Sequence, residues 1–368
     1  MATTITDVAR RAGVSTATVS RVLSGVGRAS PATHARVEAA ARDLGFRPSD
    51  VARSLKRRST LTLGLIVTDI ENPYFPQLVK AVEEAAIGEG YAILLCNADE
   101  DPEREASYLD LLVERRVDGL IVAASTIGSR QRAWLARAPL PAVLVNSVAP
   151  GNDLPTIVSD NRGGGRAAAR HLLDLGHRRF GYLMPPPRNG DAPERLTGVR
   201  EALEAAGLSA DGTSADGISS DGTNSDGASS RTALAIATGA PTVIGGEAAM
   251  IALLEHAPRP TAVIAYNDLM AIGAMRAARH HGLRVPADLS LVGFDDVAFA
   301  AYVEPALTTM RQETAEMGRW AVATLTARIR AARGEDPDEP GERASGGEHR
   351  VVPVRLIVRG SSGPAPTD

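Results

Sequence analysis

Cysteine is scarce in this sequence and long apolar runs are missing from it. Cys96 is the only cysteine in 368 residues, which excludes an intrachain disulfide, and its apolar neighbours at 91–96 predict a buried strand residue. No run of about eighteen apolar residues occurs, and no apolar segment follows a basic start. We therefore expect no membrane span and no secretory signal, and the absence of both favours a cytoplasmic protein.

The sequence also lacks the patterns that carry catalysis or bind metals. It shows no paired nucleophile and base and no metal-ligand cluster, and Gly163–Gly165 is not followed by the Lys-Ser or Lys-Thr of a nucleotide loop. We therefore expect no cofactor, no metal ion and no enzymatic activity. One alternative stays open, because Asp295 and Asp296 are adjacent carboxylates of the kind that serve acid–base chemistry.

A low-complexity stretch interrupts the second half of the chain. Asp-Gly pairs recur every five residues within 209–230, a segment with no aromatic and almost no aliphatic side chains. Such a composition cannot bury a core, so we predict a flexible surface insertion. Calcium binding is the alternative. However, Thr223 and Ser225 stand where a calcium loop alternates acids, and no Glu closes the loop.

The N-terminal segment has the pattern of two short helices joined by a glycine turn. Gly13 supplies the break, and Ser15 is placed to cap a second helix that begins at Thr16. The apolar stripes of the two predicted helices are Val8, Ala9 and Ala12, and Val19, Val22 and Leu23. The outer side of the second helix carries Thr16, Ala17, Ser20 and Arg21. A recognition helix presents such side chains to base edges, although an ordinary helical hairpin has the same pattern.

The charge of the chain is divided unevenly between its two parts. Residues 1–58 contain eleven Arg or Lys and four acids, a charge of +7, whereas the whole chain is −4, so residues 59–368 carry −11. A basic head on an acidic body is typical of a phosphate-binding module attached to a domain that does not bind nucleic acid. The charges therefore favour DNA binding over a plain hairpin.

From residue 61 onward, short apolar runs alternate with helical patterns. This alternation predicts parallel sheets covered on both faces, in two units, with ligands bound at the carboxyl ends of the strands. The predicted strands are 61–67, 91–96, 117–122, 142–145, 180–184, 262–265, 289–294 and 351–358. The predicted helices are 74–89, 102–115, 163–175, 193–206, 246–256, 267–281 and 312–332.

The N-terminal residues resemble the DNA-binding headpiece of the lactose/galactose repressor (LacI/GalR) family over 5–25, 30–37 and 46–55. The resemblance implies a homodimer on a near-palindromic operator, and a hinge helix at 49–56 that places Leu55 between base pairs in the minor groove. Packing of Leu55 against its own domain is the alternative. The DNA-contacting residues implied are Thr16, Ala17, Ser20, Arg21, Ser30, Ala52, Leu55 and Lys56.

The remainder of the chain is similar to the effector-binding core of the same family, at 69–75, 117–121, 175–179, 266–273 and 292–296. That core resembles periplasmic sugar-binding proteins, in which two lobes close on a small molecule. The implied effector-binding residues are Tyr74, Phe75, Asn146, Asp160, Arg195, Asn267, Asp268 and Asp295. Helix capping is an alternative role for Asp160 and Asp295, and the alternative for Arg195 is a solvated residue at a helix start.

The sequence thus predicts an all-α helix-turn-helix headpiece plus an α/β, two-lobed effector domain like that of periplasmic binding proteins. The expected boundaries are a headpiece at 1–48, a hinge and linker at 49–59, the effector domain at 60–360 and a flexible tail at 361–368. Within the effector domain, the first lobe is expected at 60–160 and 294–320, and the second at 161–293 and 321–360.

The function expected is that of a transcriptional regulator, a repressor that binds its operator as a dimer under allosteric control by a small molecule. A sugar is the first candidate effector, and a nucleoside or purine is the second. A solute-binding protein and a two-lobed enzyme are the competing classes. Because the tail shows no leucine heptads, a tetramer built by a helical bundle is not expected.

Overall fold

The computed structural model describes residues 3–24, 29–46, 59–124, 129–147, 154–187, 190–210, 213–214, 233–335 and 348–367. They fall in two compact units, Met1–Thr62 with Arg116–Asp118, and Leu63–Arg115 with Gly119–Asp368. The predicted hinge helix at 49–56, with Ala52, Leu55 and Lys56, lies outside the described residues, as does almost all of the Asp-Gly insertion.

The first unit contains three helices, α1 (Ile5–Ala12), α2 (Thr16–Ser24) and α3 (Pro31–Asp43). Helix α1 ends at Gly13, whose φ of 65° lies in the left-handed region that glycine adopts without strain. Ser30 caps α3, since its hydroxyl accepts a hydrogen bond from the Thr33 N–H at 3.2 Å. The apolar stripes meet in a small core around Val8, Val19 and Val37, each fully buried.

The second unit contains two lobes, each built on one sheet. Three segments link the lobes, so both sheets receive strands from distant parts of the sequence. The elements of the first lobe are β1 (Thr62–Val67), α4 (Tyr74–Gly88), β2 (Ala92–Asn97), α5 (Pro102–Glu114), β3 (Gly119–Ala123), α6 (Ser129–Leu135), β4 (Ala142–Val145), β5 (Thr156–Ser159), α11 (Thr314–Arg333) and β12 (His349–Val352). Those of the second lobe are α7 (Asn161–Asp174), β6 (Phe180–Met184), α8 (Ala192–Ala205), β7 (Thr213–Ser214), β8 (Leu234–Thr238), α9 (Val243–Leu254), β9 (Ala262–Ala265), α10 (Asp268–His280), β10 (Ser290–Asp295), a 3₁₀ turn (Ala298–Ala301), β11 (Thr308–Arg311) and β13 (Arg355–Ile357).

The first sheet has the order β12-β5-β4-β3-β1-β2, and the second has the order β13-β11-β10-β9-β6-β8-β7. Strands β1 and β3 to β5 run parallel, as do β6 and β8 to β11, whereas β13 is antiparallel to β11. The inner strands are buried on both faces because helices cover both sides. This agrees with the sheets that the apolar runs predict.

The expected lobe boundaries after residue 293 do not match the structure. Strands β10 and β11 belong to the second sheet, whereas α11 packs on α4 and β3 of the first lobe. Gly119 of β3 makes room for this helix, since a Cβ there would lie 2.8 Å from the Leu325 side chain. The chain therefore passes between the lobes at 159–161, 311–314 and 352–355.

The single last strand predicted over 351–358 is wrong. The structure has β12 in the first sheet and β13 in the second, with Pro353 between them. Proline has no N–H to donate to a ladder, so the strand stops there and the chain crosses to the other lobe. The apolar pattern does not predict β5, β8 or β11. Strands β5 and β11 are four residues long and rich in Thr and Ser, whereas β8 follows the low-complexity Asp-Gly stretch, which obscures the strand and helix pattern there.

Candidate functional site

The outer side of α2 is open to solvent. Thr16, Ala17 and Arg21 are exposed, Ser20 is half-buried, and Ser30 is exposed at the start of α3. The helix begins where the sequence predicts, because the Ser15 hydroxyl accepts a hydrogen bond from the Thr18 N–H at 3.2 Å. The inward residues Val19 and Val22 fix the orientation of the helix in the three-helix core. Its polar N-terminal face is therefore available to a partner.

A cleft of about 500 Å³, counting the part open to solvent, lies between the two lobes of the second unit. The residues that line it stand at the strand ends of both sheets, because the carboxyl edges of the two parallel sheets face each other. The lining residues are Thr68, Asp69, Asn72, Tyr74, Phe75, Glu100, Asn146, Asp191, Arg195, Pro241, Tyr266, Asn267, Asp295 and Gln312. Its size falls within the usual range for small-molecule sites.

Arg195, near the start of α8, is the most heavily bonded side chain of the cleft. It is 4% exposed, and it donates to the Asp191 carboxylate at 2.8 Å and to the Tyr266 carbonyl at 2.6 Å. Its guanidinium lies 3.7 Å from the centroid of the Phe294 ring. Burial alone would lower the pKa of Arg195, but the nearby carboxylates outweigh burial and raise it above its ordinary value. The arginine stays charged.

Asp295 ends β10 and is 5% exposed. Its carboxylate accepts a hydrogen bond from the Gln312 amide at 2.7 Å and lies 3.9 Å from the Arg195 guanidinium. Gln312 in turn accepts a hydrogen bond from the Ser159 hydroxyl. Burial raises the pKa of Asp295 above the usual carboxyl range, although Arg195 opposes the rise. These side chains join two of the three segments that link the lobes.

The wall formed by the first lobe combines an aromatic pair with an amide. The Tyr74 and Phe75 rings meet edge to face with centroids 5.3 Å apart, and the Asn146 amide donates to the Tyr74 hydroxyl. Burial raises the pKa of Tyr74, so the phenol remains neutral. A neutral phenol, an amide and an apolar ring face suit a ligand that has hydroxyl groups on an apolar frame.

Two cleft residues have backbone conformations that L-residues rarely adopt. Asn146 has a φ of 61° directly after β4, and Asp295 has a φ of 117° at the end of β10. Such conformations cost energy, and they cluster at functional sites where the surrounding structure holds them. In both cases the unusual backbone comes at the strand end from which the side chain enters the cleft.

Six of the eight residues proposed from the sequence for effector binding line the cleft together: Tyr74, Phe75, Asn146, Arg195, Asn267 and Asp295. Asn267 also caps α10, since its side chain accepts a hydrogen bond from the Met270 N–H at 2.9 Å. Their location is consistent with the proposed role, which stays a prediction.

The other two proposed effector-binding residues do not line the cleft. Asp160 caps α7, where it accepts a hydrogen bond from the Gly163 N–H at 2.8 Å, and it lines a neighbouring cavity. Capping, the alternative considered for Asp160, is what the structure shows. Asp268 is fully buried, and its carboxylate accepts hydrogen bonds from the Val297 N–H at 2.8 Å and from the Thr309 hydroxyl. These two bonds hold the Asp268 carboxylate inside its own lobe.

Several cleft residues were missed by the sequence interpretation, chiefly Asp191, Tyr266 and Gln312. Asp191 stands four residues before Arg195, a spacing that pairs side chains on one helix face, and this signal was available. Gln312 follows β11, a strand that was not predicted, so nothing placed it at the sheet edge. In the described part of the chain, no group of three or more His, Cys, Asp or Glu side chains is arranged for a metal ion.

Comparison with known proteins assigns both units to one family. The model for "Bacterial regulatory proteins, lacI family" matches residues 4–49, and the model for "Periplasmic binding protein-like domain" matches residues 169–362. The chain is 33% identical over 361 residues to the HTH-type transcriptional repressor CytR of Escherichia coli (strain K12), across 98% of this chain and 96% of that protein. The chain belongs to the LacI family.

Solved structures of LacI-family proteins share the architecture. A lac repressor dimer bound to operator and the anti-inducer ONPF matches with a TM-score of 0.81 at 27% identity, over 99% of this chain and 100% of that one. A complex of the transcriptional regulator CelR with cellobiose matches with a TM-score of 0.66 at 32% identity, over 98% and 99%. The predicted fold class and family are confirmed, and this LacI-family chain is a DNA-binding transcriptional regulator.

Proposed function

We propose that this LacI-family chain represses transcription by binding a palindromic operator as a homodimer, under the control of a small polyhydroxylated molecule. The observation that carries the proposal is the cleft, in which hydrogen-bonding side chains and aromatic rings converge from both lobes of a chain that also has a helix-turn-helix. Residues 1–48 would act as the headpiece and residues 49–59 as the hinge and linker. The protein would work in the cytoplasm, at the nucleoid.

In this proposal, α2 enters the major groove and its exposed face reads bases. Thr16, Ala17 and Arg21 are the base-contacting candidates, with Ser20 and Ser30 beside them, since side chains at the N-terminal end of a recognition helix reach base edges. Ala52, Leu55 and Lys56 are proposed from the sequence to act in the minor groove.

A sugar is the effector class that the cleft supports best. Carboxylate and amide groups form hydrogen bonds with neighbouring hydroxyls, and an aromatic face packs against the apolar side of a sugar ring. The match to CelR, whose structure contains cellobiose, supports a sugar as well. A nucleoside is the second candidate, because the Tyr74 and Phe75 rings offer a surface on which a base can stack.

Acid–base catalysis by Asp295 and Asp296, the enzymatic alternative, has little support. Asp296 is held by Arg359 at 2.5 Å and by Arg311 at 2.6 Å, and it does not line the cleft. A single carboxyl group of the pair faces the site, and it is hydrogen-bonded to Gln312. We therefore propose that the cleft binds its ligand without turnover.

The test is selection of bound duplexes from a random library with the full chain, followed by titration of the selected site with and without sugars and nucleosides. We expect a palindromic site whose affinity changes when one compound class is added. Failure to enrich any palindrome, with or without the compounds, would overturn the proposed DNA-binding mode.

A further inference from the structure

We propose that the effector cleft selects against anionic ligands, and that Asp191 sets this selectivity by neutralising Arg195. The site would accept a neutral or amine-bearing polyhydroxylated molecule and reject its phosphorylated or carboxylated counterpart. This inference rests on the proposed function, since it concerns the effector that controls the regulator. The argument depends on how the charges of the cleft are already paired.

The one cation among the described lining residues is committed to the protein itself. Besides its bonds to Asp191 and Tyr266, Arg195 donates through Nε to the Asn161 side chain at 2.9 Å. Two aromatic rings also pack against its guanidinium, whose central carbon lies 3.7 Å from the Phe294 centroid and 4.6 Å from the Tyr266 centroid. An incoming phosphate would have to compete with the carboxylate of Asp191, which already pairs with the buried Arg195, and breaking an ion pair in such surroundings is costly.

The remaining charges of the cleft are negative. Three described lining residues add carboxylates, Asp69, Glu100 and Asp191, and a fourth carboxyl group, that of Asp295, is shifted toward its neutral form by burial, which raises its pKa. An anion bound among them would face like charges where water is partly excluded, and repulsion is stronger there than in bulk water. Hydroxyl groups can donate to these carboxylates, and an ammonium group would be attracted to them, so both chemistries fit.

Helix N-termini near the cleft do not reverse this conclusion. Helices α4 and α10 begin at or directly after residues that line the cleft, and helix N-termini attract anions when they are open. Here the Asn72 side chain accepts from the Tyr74 N–H at 3.1 Å, and the Asn267 side chain accepts from the Met270 N–H at 2.9 Å. The protein's own amides thus take donors that an anion would use.

Tyr266 reinforces the placement of Asp191. Its hydroxyl donates to the Asp191 carboxylate at 2.8 Å, while the other carboxylate oxygen accepts from Arg195. Asp191 is therefore fixed from two sides, and each oxygen keeps a lone pair that a ligand hydroxyl or amine can reach. Replacement by Asn conserves the shape and removes the charge, so Arg195 would become available to an anion.

The experiment measures binding by calorimetry and thermal shift with the full chain and matched sets of compounds. The sets are D-glucose, D-glucosamine, D-gluconate and D-glucose 6-phosphate; D-ribose and D-ribose 5-phosphate; cellobiose and cellobionate; and cytidine and cytidine monophosphate. We expect at least one neutral or amine-bearing member to bind, with its anionic counterpart at least about tenfold weaker. The gap is the ratio of the affinity for a neutral or amine-bearing member to the affinity for its anionic counterpart. In Asp191→Asn this gap should shrink by at least about tenfold.

Glu204→Gln is the matched control, since it removes one negative charge from an exposed position of the same helix and should leave the gap unchanged. Asp69→Asn is the second variant, in case Asp191→Asn does not fold, and it should narrow the gap in the same direction. An anionic member that binds the wild type as tightly as its parent would overturn the inference, and so would a panel in which no neutral or amine-bearing member binds. Neither result would change the outcome of the operator-selection test, so the two proposals fail separately.

Discussion

At the residue scale, buried carboxyl groups serve different purposes according to what they face. Asp295 faces the cleft, whereas Asp268, close to it in space, is bonded to the Val297 N–H and the Thr309 hydroxyl of its own lobe. Burial and the neighbouring Asp295 both raise the pKa of Asp268. The sequence places both residues beside strand ends and cannot tell which way each side chain turns.

Glu105 is a buried carboxyl group in the first lobe, away from the cleft. It lies on α5, and its Oε1 and the Oε1 of Gln131 are both buried without a hydrogen-bond partner. Burial raises the pKa of Glu105 from 4.5 to about 7, although a hydrogen bond with Gln131 opposes the rise. The pKa of Glu105 is higher in the folded protein than in the unfolded chain, so ionisation of Glu105 opposes folding. The free energy of unfolding therefore falls as the pH rises from about 4.5 to about 7.

Glu105→Gln should therefore stabilise the protein at alkaline pH and change little at acid pH. We expect a gain on the order of 2–3 kcal/mol in the free energy of unfolding at about pH 8, and close to none at about pH 4. Urea unfolding of the second unit at the two pH values measures the difference in the free energy of unfolding between the variant and the wild type. The control is Glu103→Gln, an exposed position on the same helix. An equal effect at both pH values would contradict the buried-charge explanation.

The residues of the cleft were predictable to the extent that they follow predicted strands or begin predicted helices. Asn146 and Asp295 directly follow predicted strands, and Arg195 lies in the first turn of a predicted helix, so their positions at a sheet edge could be inferred. Gln312 follows a strand with the sequence Thr-Thr-Met-Arg, whose pattern gives no strand signal, although Thr308 and Thr309 are fully buried. Their hydroxyls are bonded inside the protein, a property that side-chain type alone does not reveal.

At the element scale, helices α7 and α8 pack closely against each other at glycine residues. A Cβ on Gly165 would lie 2.0 Å from the Arg195 carbonyl oxygen, and one on Gly198 would lie 1.9 Å from the Arg162 carbonyl oxygen. Gly165 of the glycine run at 163–165, together with Gly198, therefore allows the two helices to pack closely in this structure. Because Gly165 touches the backbone of Arg195, this packing also sets the position of the cleft arginine.

Gly165→Ala should force α8 away from α7 and displace Arg195. We expect a loss of about 1–3 kcal/mol in the free energy of unfolding, together with weaker effector binding, since overpacked interfaces shift backbone. Thermal melts and effector titration measure the two effects. Gly88→Ala in α4 is the control, because its Cβ would meet nothing within 4 Å, and it should stabilise by about 0.5–1 kcal/mol. Unchanged effector affinity in Gly165→Ala would show that α8 tolerates the shift.

The recognition helix offers the corresponding test in the headpiece. Arg21 is exposed on α2, and Arg21→Ala should cost about 1–3 kcal/mol on the selected operator and relax base preference at one position in each half-site. Arg42→Ala, at an exposed position in the last turn of α3, should leave base preference unchanged. The measurement is anisotropy titration of the operator, single-base variants and random duplex. Equal losses on operator and random duplex for Arg21→Ala would remove the base-reading assignment.

Strand boundaries show where sequence patterns fail at this scale. Apolar runs such as 142–145 and 180–184 predict their strands to the residue, because these strands are buried on both faces and carry a continuous apolar signal. The run at 351–358 was predicted as one strand. Its apolar residues in fact serve two sheets, since Pro353 ends the first pairing and the chain enters the other lobe. Composition alone does not show which sheet a residue joins.

At the scale of the whole molecule, the two functions are separated by charge. The basic N-terminal residues carry +7 and the remainder −11, so the electrostatic attraction for DNA resides in the headpiece while the acidic body repels phosphate. A cleft whose cation is already paired with Asp191 adds no competing anion site. The charge distribution thus lets one chain bind a polyanion through its headpiece and exclude small anions from its cleft.

This separation predicts how salt should act on the two sites and on their coupling. Between about 50 and 200 mM salt, operator affinity should fall by orders of magnitude through counterion release, whereas affinity for a neutral effector should change less than about twofold. The factor by which effector changes operator affinity, typically about 5–150-fold, must equal the factor by which operator changes effector affinity. Anisotropy and calorimetry at both salt concentrations measure the two factors. Effector affinity that falls with salt as steeply as operator affinity would mean that the cleft recognises a charged ligand rather than a neutral one, because only a charged ligand would be screened in this way.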